Sequence, residues 1–207
     1  FLSNIRETDA IIHVLRCFDD PNIIHVDGKI NPLSDKEVVE YELILKDIEI
    51  VDKRLDKIKK TLRSGSGESK KEIEVLENVR LQLENVSVNK SDYSDDQFED
   101  YIKPLELISF KPILYVCNVG ENDVISGNDY VDEVRKEIGD KDSEIIIISA
   151  KIESEINELE SYEEKKIFLD DLGLDDSGSN KLIRASYRLL NLHSYFTAGV
   201  KEVRGWT

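Results

Sequence analysis

The apolar positions of the chain predict three strands of a parallel sheet. The first, Ala10–Phe18, is nearly continuous and rich in β-branched residues, which is typical of a strand buried on both faces. Two more follow at Pro112–Cys117 and Glu144–Ile148, and a helix-compatible stretch at Tyr130–Ile138 separates them. Strand, helix and strand in this order predict a right-handed crossover in an α/β fold.

Between the first two strands the apolar residues recur every three or four positions, which predicts two long helices. Ser34 and Glu37 form a capping-box pattern where the first helix begins. Its apolar stripe comprises Tyr41, Leu45, Ile48, Val51, Leu55, Ile58 and Leu62. The stripe of the second comprises Ile73, Leu76, Val79, Leu83 and Val86. Because the turn-like segment Arg63–Gly67 separates them, the stripes are predicted to close on each other as an antiparallel hairpin inserted into the sheet.

The last part of the chain is predicted to be helical at 161–172 and 180–192, with a turn region between. Residues 196–206 alternate loosely, as at the start of a further strand or domain.

The composition is that of a folded, acidic protein. The 207 residues include 28 lysines and arginines against 44 aspartates and glutamates, for a net charge of −16, and 40% are hydrophobic. Apolar stretches fall far short of the roughly 18–20 residues that cross a bilayer, so no membrane association is expected. Cys17 and Cys117 fit neither a disulfide framework nor a metal-binding spacing, which favours a reducing, cytoplasmic location. Because the chain begins at Phe1 and has no methionine, we expect it to be a fragment.

Positive charge is concentrated around the predicted hairpin tip. Between Lys53 and Lys71 there are eight basic residues and two acidic ones. The basic residues are Lys53, Arg54, Lys57, Lys59, Lys60, Arg63, Lys70 and Lys71. A positive tip on a negative body favours contact with a polyanion such as a nucleic acid or a ribonucleoprotein, because phosphate contacts release counterions. A solvated, lysine-rich helix face is the alternative interpretation.

Two short motifs follow the second and third strands, where ligands bind in open α/β sheets. One is Asn118-Val119-Gly120-Glu121 and the other is Ser149-Ala150-Lys151. An asparagine amide both donates and accepts hydrogen bonds, a carboxylate accepts from base N–H groups, and small residues admit a purine ring. The motifs are similar to the base-recognition loops of P-loop GTPases, except that Val119 replaces the usual lysine and Glu121 the usual aspartate. That longer carboxylate side chain is expected to weaken the selection of guanine.

Five segments together carry a more specific resemblance. They are Phe1–Asp9, Cys17–Phe18, Asn22–Val26, Asn118–Glu121 and Tyr195–Arg204. In these segments, and over essentially its whole length, the chain resembles the YchF-type ribosome-binding ATPases of the Obg-related (TRAFAC) P-loop GTPase superfamily. The resemblance implies a partial Rossmann-like nucleotide-binding domain at 1–33 and 107–194. It also implies a helical coiled-coil insertion at 34–106 and the start of a β-rich TGS domain at 195–207.

The resemblance further implies hydrolysis of ATP or GTP, with ATP favoured, by a cytoplasmic, monomeric protein that binds the ribosome. It places the glycine-rich phosphate loop and the Mg²⁺ ligands upstream of Phe1, and no metal ligand is assigned within this chain. Since those groups supply most of the stabilisation of phosphoryl transfer, the fragment alone is expected to be inactive.

His25 is the candidate catalytic residue, in the loop after the first strand. The resembled family lacks the water-orienting glutamine of ordinary GTPases, and a loop histidine here is predicted to position the attacking water in its place. The alternative is a histidine that packs in an edge strand between Ile24 and Val26.

Two functions of other classes remain open on the sequence. One is a noncatalytic adaptor in which the sheet anchors a helical binding arm. An upstream G-x-x-x-x-G-K-[ST] loop would favour the enzyme, and its absence would favour the adaptor. The other is an RNA-binding module, which fits less well because only 7% of residues are aromatic and none lies among the basic residues of the tip.

Overall fold

The computed structural model describes residues 2–26, 28–61, 67–139 and 145–207, which form a mixed α/β structure. The helices are α1 (Leu2–Arg6), α2 (Pro32–Thr61), α3 (Gly67–Glu84), α4 (Asp95–Gln97), α5 (Asp129–Ile138), α6 (Ala150–Glu158), α7 (Tyr162–Asp171) and α8 (Gly178–Leu189). The strands are β1 (Ile11–Cys17), β2 (Ile113–Val119), β3 (Ile145–Ile148), β4 (Tyr195–Ala198) and β5 (Val203–Trp206). A π-helical turn, Phe98–Ile102, and 3₁₀ turns at Lys90–Asp92, Lys103–Leu105, Ile108–Phe110 and Glu121–Asp123 complete the list.

The chain divides into two compact units. The helical unit comprises Phe1–Asp9 and Lys36–Lys111, and the sheet unit comprises Ala10–Asp35 and Pro112–Thr207. The chain passes from the sheet unit to the helical unit within α2, between Asp35 and Lys36.

The sheet unit contains the predicted parallel sheet, with strand order β1-β2-β3. Cys17 lies opposite Val119, and Asn118 lies opposite Ile148, so the strands reach their carboxyl ends at one edge. The strands begin and end within two residues of the predicted bounds, and Glu144 lies outside the described residues. A second, antiparallel pair, β4 and β5, occupies the end of the chain where a further strand is predicted.

Alternate residues of the sheet pack against helices on opposite faces. On one face, residues of β1 and β2 pack against α5 in a cluster of Leu15, Cys17, Tyr115, Cys117, Val119, Val131, Val134 and Ile138. On the other, Leu114, Val116 and Ile146 pack against Ala185 of α8. Ile12 and Val14 of β1 are exposed, so the prediction that this strand is buried on both faces is wrong for this chain. Both cysteines are buried and free.

α2 begins two residues before its predicted start. The side chain of Asn31 accepts a hydrogen bond from the Ser34 backbone N–H at 3.1 Å, and Pro32 is the first helical residue. The predicted capping box of Ser34 and Glu37 is therefore wrong, because an asparagine cap followed by a proline starts the helix earlier.

The helical unit has its own core between α2 and α3. The buried residues are Ile44, Val51, Leu55, Ile58, Val75, Leu76, Val79, Leu83, Ile102 and Leu107. The predicted stripes are correct in their middle parts, but Tyr41, Leu45 and Val86 are exposed. In the first half of α2 a different face is turned inward, since Ile44 and Asp47 are buried. The Asp47 carboxylate accepts hydrogen bonds from Arg6 and from the Ser109 backbone N–H. Leu62 and the predicted turn from Arg63 to Ser66 lie outside the described residues.

Candidate functional site

The two predicted motifs lie side by side at the carboxyl edge of the sheet. Asn118 is the last but one residue of β2, and Ser149 directly follows β3. The Asn118 side-chain carbonyl Oδ1 accepts a hydrogen bond from the Ala150 backbone N–H at 3.0 Å. This bond orients the amide so that its NH₂ group points away from Ala150 and is available as a donor.

A second link joins the same two motifs through charge. The Lys151 ammonium nitrogen Nζ lies 2.8 Å from the Glu121 carboxylate oxygen Oε2. The hydrogen bond from Lys151 and the charge attraction to Glu121 both raise the pKa of Lys151. The lysine therefore occupies one oxygen of the carboxylate that is predicted to contact the base.

The remaining residues of the two motifs differ in burial. Val119 is buried and its side chain packs in the core of the sheet unit, and Ser149 is buried as well. Ala150 is exposed at the first position of α6, and Gly120 precedes the 3₁₀ turn that carries Glu121. Small side chains at 120 and 150 leave the backbone accessible at this edge.

Two side chains outside the predicted motifs, Asn128 and Glu153, make hydrogen bonds near the carboxyl edge of the sheet. The Asn128 amide donates hydrogen bonds of 2.8 Å to the Cys17 backbone carbonyl and to Asp123, which joins the end of β1 to the loop after β2. Glu153 of α6 accepts from the backbone N–H groups of Gly178 and Ser179 at 2.6 and 2.9 Å. Asn128 caps α5, a position that its sequence context favours, but the Glu153 contact has no local signal.

His25 lies in the loop after β1, which leaves the sheet at the same carboxyl edge. Its ring nitrogen Nε2 lies 3.0 Å from the Asp35 carboxylate oxygen Oδ2, in the first turn of α2. The loop is fastened near its start by the Arg16 guanidinium, which donates to the Phe18 and Ile23 backbone carbonyls. His25 is not part of a strand, so the predicted alternative of an edge-strand histidine is wrong.

The predicted basic residues differ in how they are paired. Arg54 and Lys59 of α2 form ion pairs with Glu72 and Glu77 of α3, at 2.5 and 2.7 Å. Five exposed lysines enter no ion pair within the described part of the chain: Lys53, Lys57, Lys60, Lys70 and Lys71. Arg63 lies outside the described residues.

A polar cleft of about 980 Å³ lies in the helical unit, between α3 and the segment 92–101. Lys71 is on its wall, together with the acidic residues Glu74, Asp92, Asp96 and Asp100. Because these carboxylates repel phosphate, Lys71 is less suited to contact RNA than the lysines of α2.

The described residues contain no group of three or more histidine, cysteine or acidic side chains that could hold a metal ion. Over the same residues, no helix is both long enough and apolar enough to span a membrane.

Comparison with known proteins gives strong matches over the entire chain. It is 45% identical over 209 residues to the ribosome-binding ATPase YchF of Bacillus subtilis, and the match covers 100% of this chain and 57% of that protein. It is 43% identical over 207 residues to the protein of the same name from Escherichia coli O157:H7, covering 100% of this chain and 56% of that protein. No family model matches the chain.

A solved structure agrees with these matches. The YchF GTPase of Schizosaccharomyces pombe superposes with a TM-score of 0.85 at 33% sequence identity, over 99% of this chain and 56% of that one. The chain thus spans a little over half the length of the relatives it matches. Over its full length, this chain matches proteins of the YchF family.

Proposed function

We propose that the protein binds a purine nucleotide at the carboxyl edge of the β1-β2-β3 sheet and hydrolyses it. The observation that carries this proposal is the pairing of the two motifs, through Asn118 with Ala150 and through Glu121 with Lys151. The Asn118 amide and Glu121 would contact one edge of the base, while Ser149, Ala150 and Lys151 would close the other side. Val119 would contribute backbone groups, since its side chain is buried in the core.

The experiment compares nucleotide binding by the intact protein with that of two variants, using fluorescent ATP and GTP analogues. Asn118→Ala removes the oriented amide and is expected to weaken binding by about tenfold, in line with the loss of roughly 1–1.5 kcal/mol from one hydrogen bond. Asn85→Ala, at an exposed asparagine after α3, is the matched control and is expected to bind as before. Equal binding by Asn118→Ala would contradict the base-recognition assignment.

Hydrolysis also requires groups that hold phosphates and Mg²⁺. The described residues contain no group of three or more histidine, cysteine or acidic side chains that could hold Mg²⁺, so no ligand is assigned among them and no step is derived through the ion. Within this chain, His25 would orient the attacking water. The relatives are named ATPase and GTPase. Binding of the ATP and GTP analogues shows which of the two nucleotides this protein prefers.

The relatives are also named ribosome-binding, and we propose that this chain contacts ribosomal RNA through an antiparallel helical hairpin of α2 and α3. Ion pairs of Asp52 with Arg80 and of Lys59 with Glu77, and the shared apolar core, support such a hairpin. The exposed lysines Lys57, Lys60 and Lys70 are the favoured phosphate contacts.

We assign the intact protein to the cytoplasm as a monomer, with a TGS domain that begins near residue 195.

The ribosome contact is tested by the salt dependence of binding. Replacing Lys57, Lys60 and Lys70 by glutamine is expected to weaken ribosome binding. The binding should also depend less on salt, with a slope of log K against log salt that is less negative by about two to three. A control with glutamine at Lys136, Lys166 and Lys201, which are exposed in the sheet unit, changes the net charge equally. Equal slopes for the two variants would mean that Lys57, Lys60 and Lys70 are solvated and do not contact RNA.

A further inference from the structure

The loop around His25 has an inverted pattern of burial. The His25 side chain is only 15% exposed, whereas its apolar neighbours Ile24 and Val26 are 91% and 99% exposed. A loop that packed for stability alone would turn the aliphatic side chains inward and leave the imidazole in water. A specific interaction therefore holds the histidine in place.

That interaction is the contact with Asp35. The two side chains meet at 3.0 Å, and the carboxylate is 31% exposed, so the pair is only partly open to water. A neutral imidazole that faces a carboxylate through Nε2 carries its proton on that nitrogen, which leaves Nδ1 as the acceptor. The carboxylate thus sets both the orientation of the ring and its tautomer.

Asp35 is itself held firmly. It lies in the first turn of α2, and its backbone N–H donates to the Asn31 carbonyl at 3.0 Å. The Asn31 side chain caps the same turn through Ser34. A partner on a capped helix is more rigid than one on a loop, which is what positioning a reacting group requires.

We propose that Asp35 is the positioning residue for His25 during nucleotide hydrolysis. This inference rests on the proposed function, because it takes His25 as the residue that orients the attacking water. Asp35 itself contacts neither water nor nucleotide in this account. It restricts the imidazole to one orientation and one tautomer, so its removal lowers the rate of hydrolysis without weakening nucleotide binding.

The experiment measures kcat and KM for ATP hydrolysis by the intact protein and by four single variants. His25→Ala is expected to lower kcat by at least ~100-fold. Asp35→Ala is expected to lower kcat by about tenfold or more with little change in KM, and Asp35→Glu, which keeps the carboxylate, to recover part of that loss. Glu37→Ala, at an exposed carboxylate one residue beyond Lys36 on the same helix, is the matched control and is expected to leave kcat unchanged.

A fifth variant combines Asp35→Ala with His25→Ala. If the aspartate acts through the histidine, the double variant loses no more activity than His25→Ala alone. Additive losses of kcat in the double variant would overturn the proposal. So would a kcat of Asp35→Ala equal to that of Glu37→Ala, or an Asp35→Ala variant in which only KM and thermal stability change. Full activity of His25→Ala would instead overturn the catalytic assignment of the histidine, so the two failures are distinguishable.

Discussion

Lys151 and Glu121 form an ion pair within the proposed base-binding site. A carboxylate at position 121 can accept hydrogen bonds from the ring N–H and the 2-amino group of guanine, whereas adenine presents neither. In this chain Lys151 occupies one of its oxygens, which reduces its capacity to accept those bonds. The ion pair thus offers a physical reason why this loop would tolerate adenine.

The Lys151→Ala variant is therefore expected to bind GTP more tightly relative to ATP. We expect the affinity ratio to shift by about tenfold, since a hydrogen bond to a charged group contributes roughly 1.5–3 kcal/mol. The measurement is a titration of the intact protein with both nucleotides, and Lys166→Ala on α7 is the control. An unchanged ratio would contradict the role given to the ion pair.

Asp47 is a second residue whose role depends on distant partners. It is fully buried, and its carboxylate accepts from the Arg6 guanidinium at 2.8 Å and from the Ser109 backbone N–H at 2.7 Å. Asp47→Ala leaves both donors without their acceptor and is expected to lower the free energy of unfolding by about 3 kcal/mol. Urea unfolding followed by helical circular dichroism measures this change.

Asp52→Ala is the matched control for that measurement. Asp52 lies one and a half turns further along α2 and forms an ion pair with Arg80 at 2.7 Å, but its side chain is 47% exposed and that of Arg80 is 38% exposed. Its removal is expected to cost no more than about 1 kcal/mol. Similar losses for the two variants would mean that burial of Asp47 contributes little.

These residues also show what the sequence can and cannot reveal. The placement of Asn118 and Ser149 at one sheet edge is predictable, because parallel strands bring their carboxyl ends together. The roles of Asp47 and Asp35 are not, since both belong to polar positions of a long helix and would ordinarily face water. Their partners Arg6, Ser109 and His25 are brought to them only by the tertiary fold.

At the scale of elements, the start of α8 depends on the absence of a side chain. A Cβ added to Gly178 would lie 2.7 Å from Ile148 Cγ2 and 2.9 Å from Glu153 Oε1. Gly178→Ala is therefore expected to displace α8 from β3 and to destabilise the protein by about 1–3 kcal/mol. The shift in thermal unfolding temperature measures this effect.

Gly120→Ala provides the comparison, because a Cβ there meets only Asp123 Oδ2, at 3.9 Å, and its backbone dihedrals suit any residue. We expect it to unfold near the temperature of the unmodified protein. A loss of stability equal to that of Gly178→Ala would show that the close approach to Ile148 is easily relieved.

The elements themselves were predictable to different degrees. Near-continuous apolar runs predict the three parallel strands, although Ile12 and Val14 of β1 are exposed where such a run implies burial. Ser34 and Glu37 match a capping box, but α2 starts earlier, because Asn31 caps it and Pro32 is its first residue. The predicted apolar stripe of α2 is wrong at Tyr41 and Leu45, which are exposed, whereas Ile44 and the polar Asp47 are buried.

At the scale of the whole molecule, the two units have separate cores. The core of the helical unit is formed by residues of α2, α3 and the segment 102–107, and those of the sheet unit surround β2 and α6. Hydrogen exchange of the Asp47→Ala variant is therefore expected to rise in α3 and not in β2. In Gly178→Ala the rise is expected in α8 and β3 and not in α3. A uniform rise in either variant would mean that the units unfold together.

The continuity of α2 has a consequence for shortened proteins. Asp35 is followed by 26 further helical residues up to Thr61, and the helical conformation at Asp35 depends on hydrogen bonds from the turn that follows it. Joining Asp35 directly to Pro112 would discard that turn along with the arm. The contact between the Asp35 carboxylate and the His25 imidazole would then be lost. If Asp35 positions His25 as proposed, removing residues 36–111 is expected to slow hydrolysis about as much as Asp35→Ala does, in addition to any loss of the proposed ribosome contact.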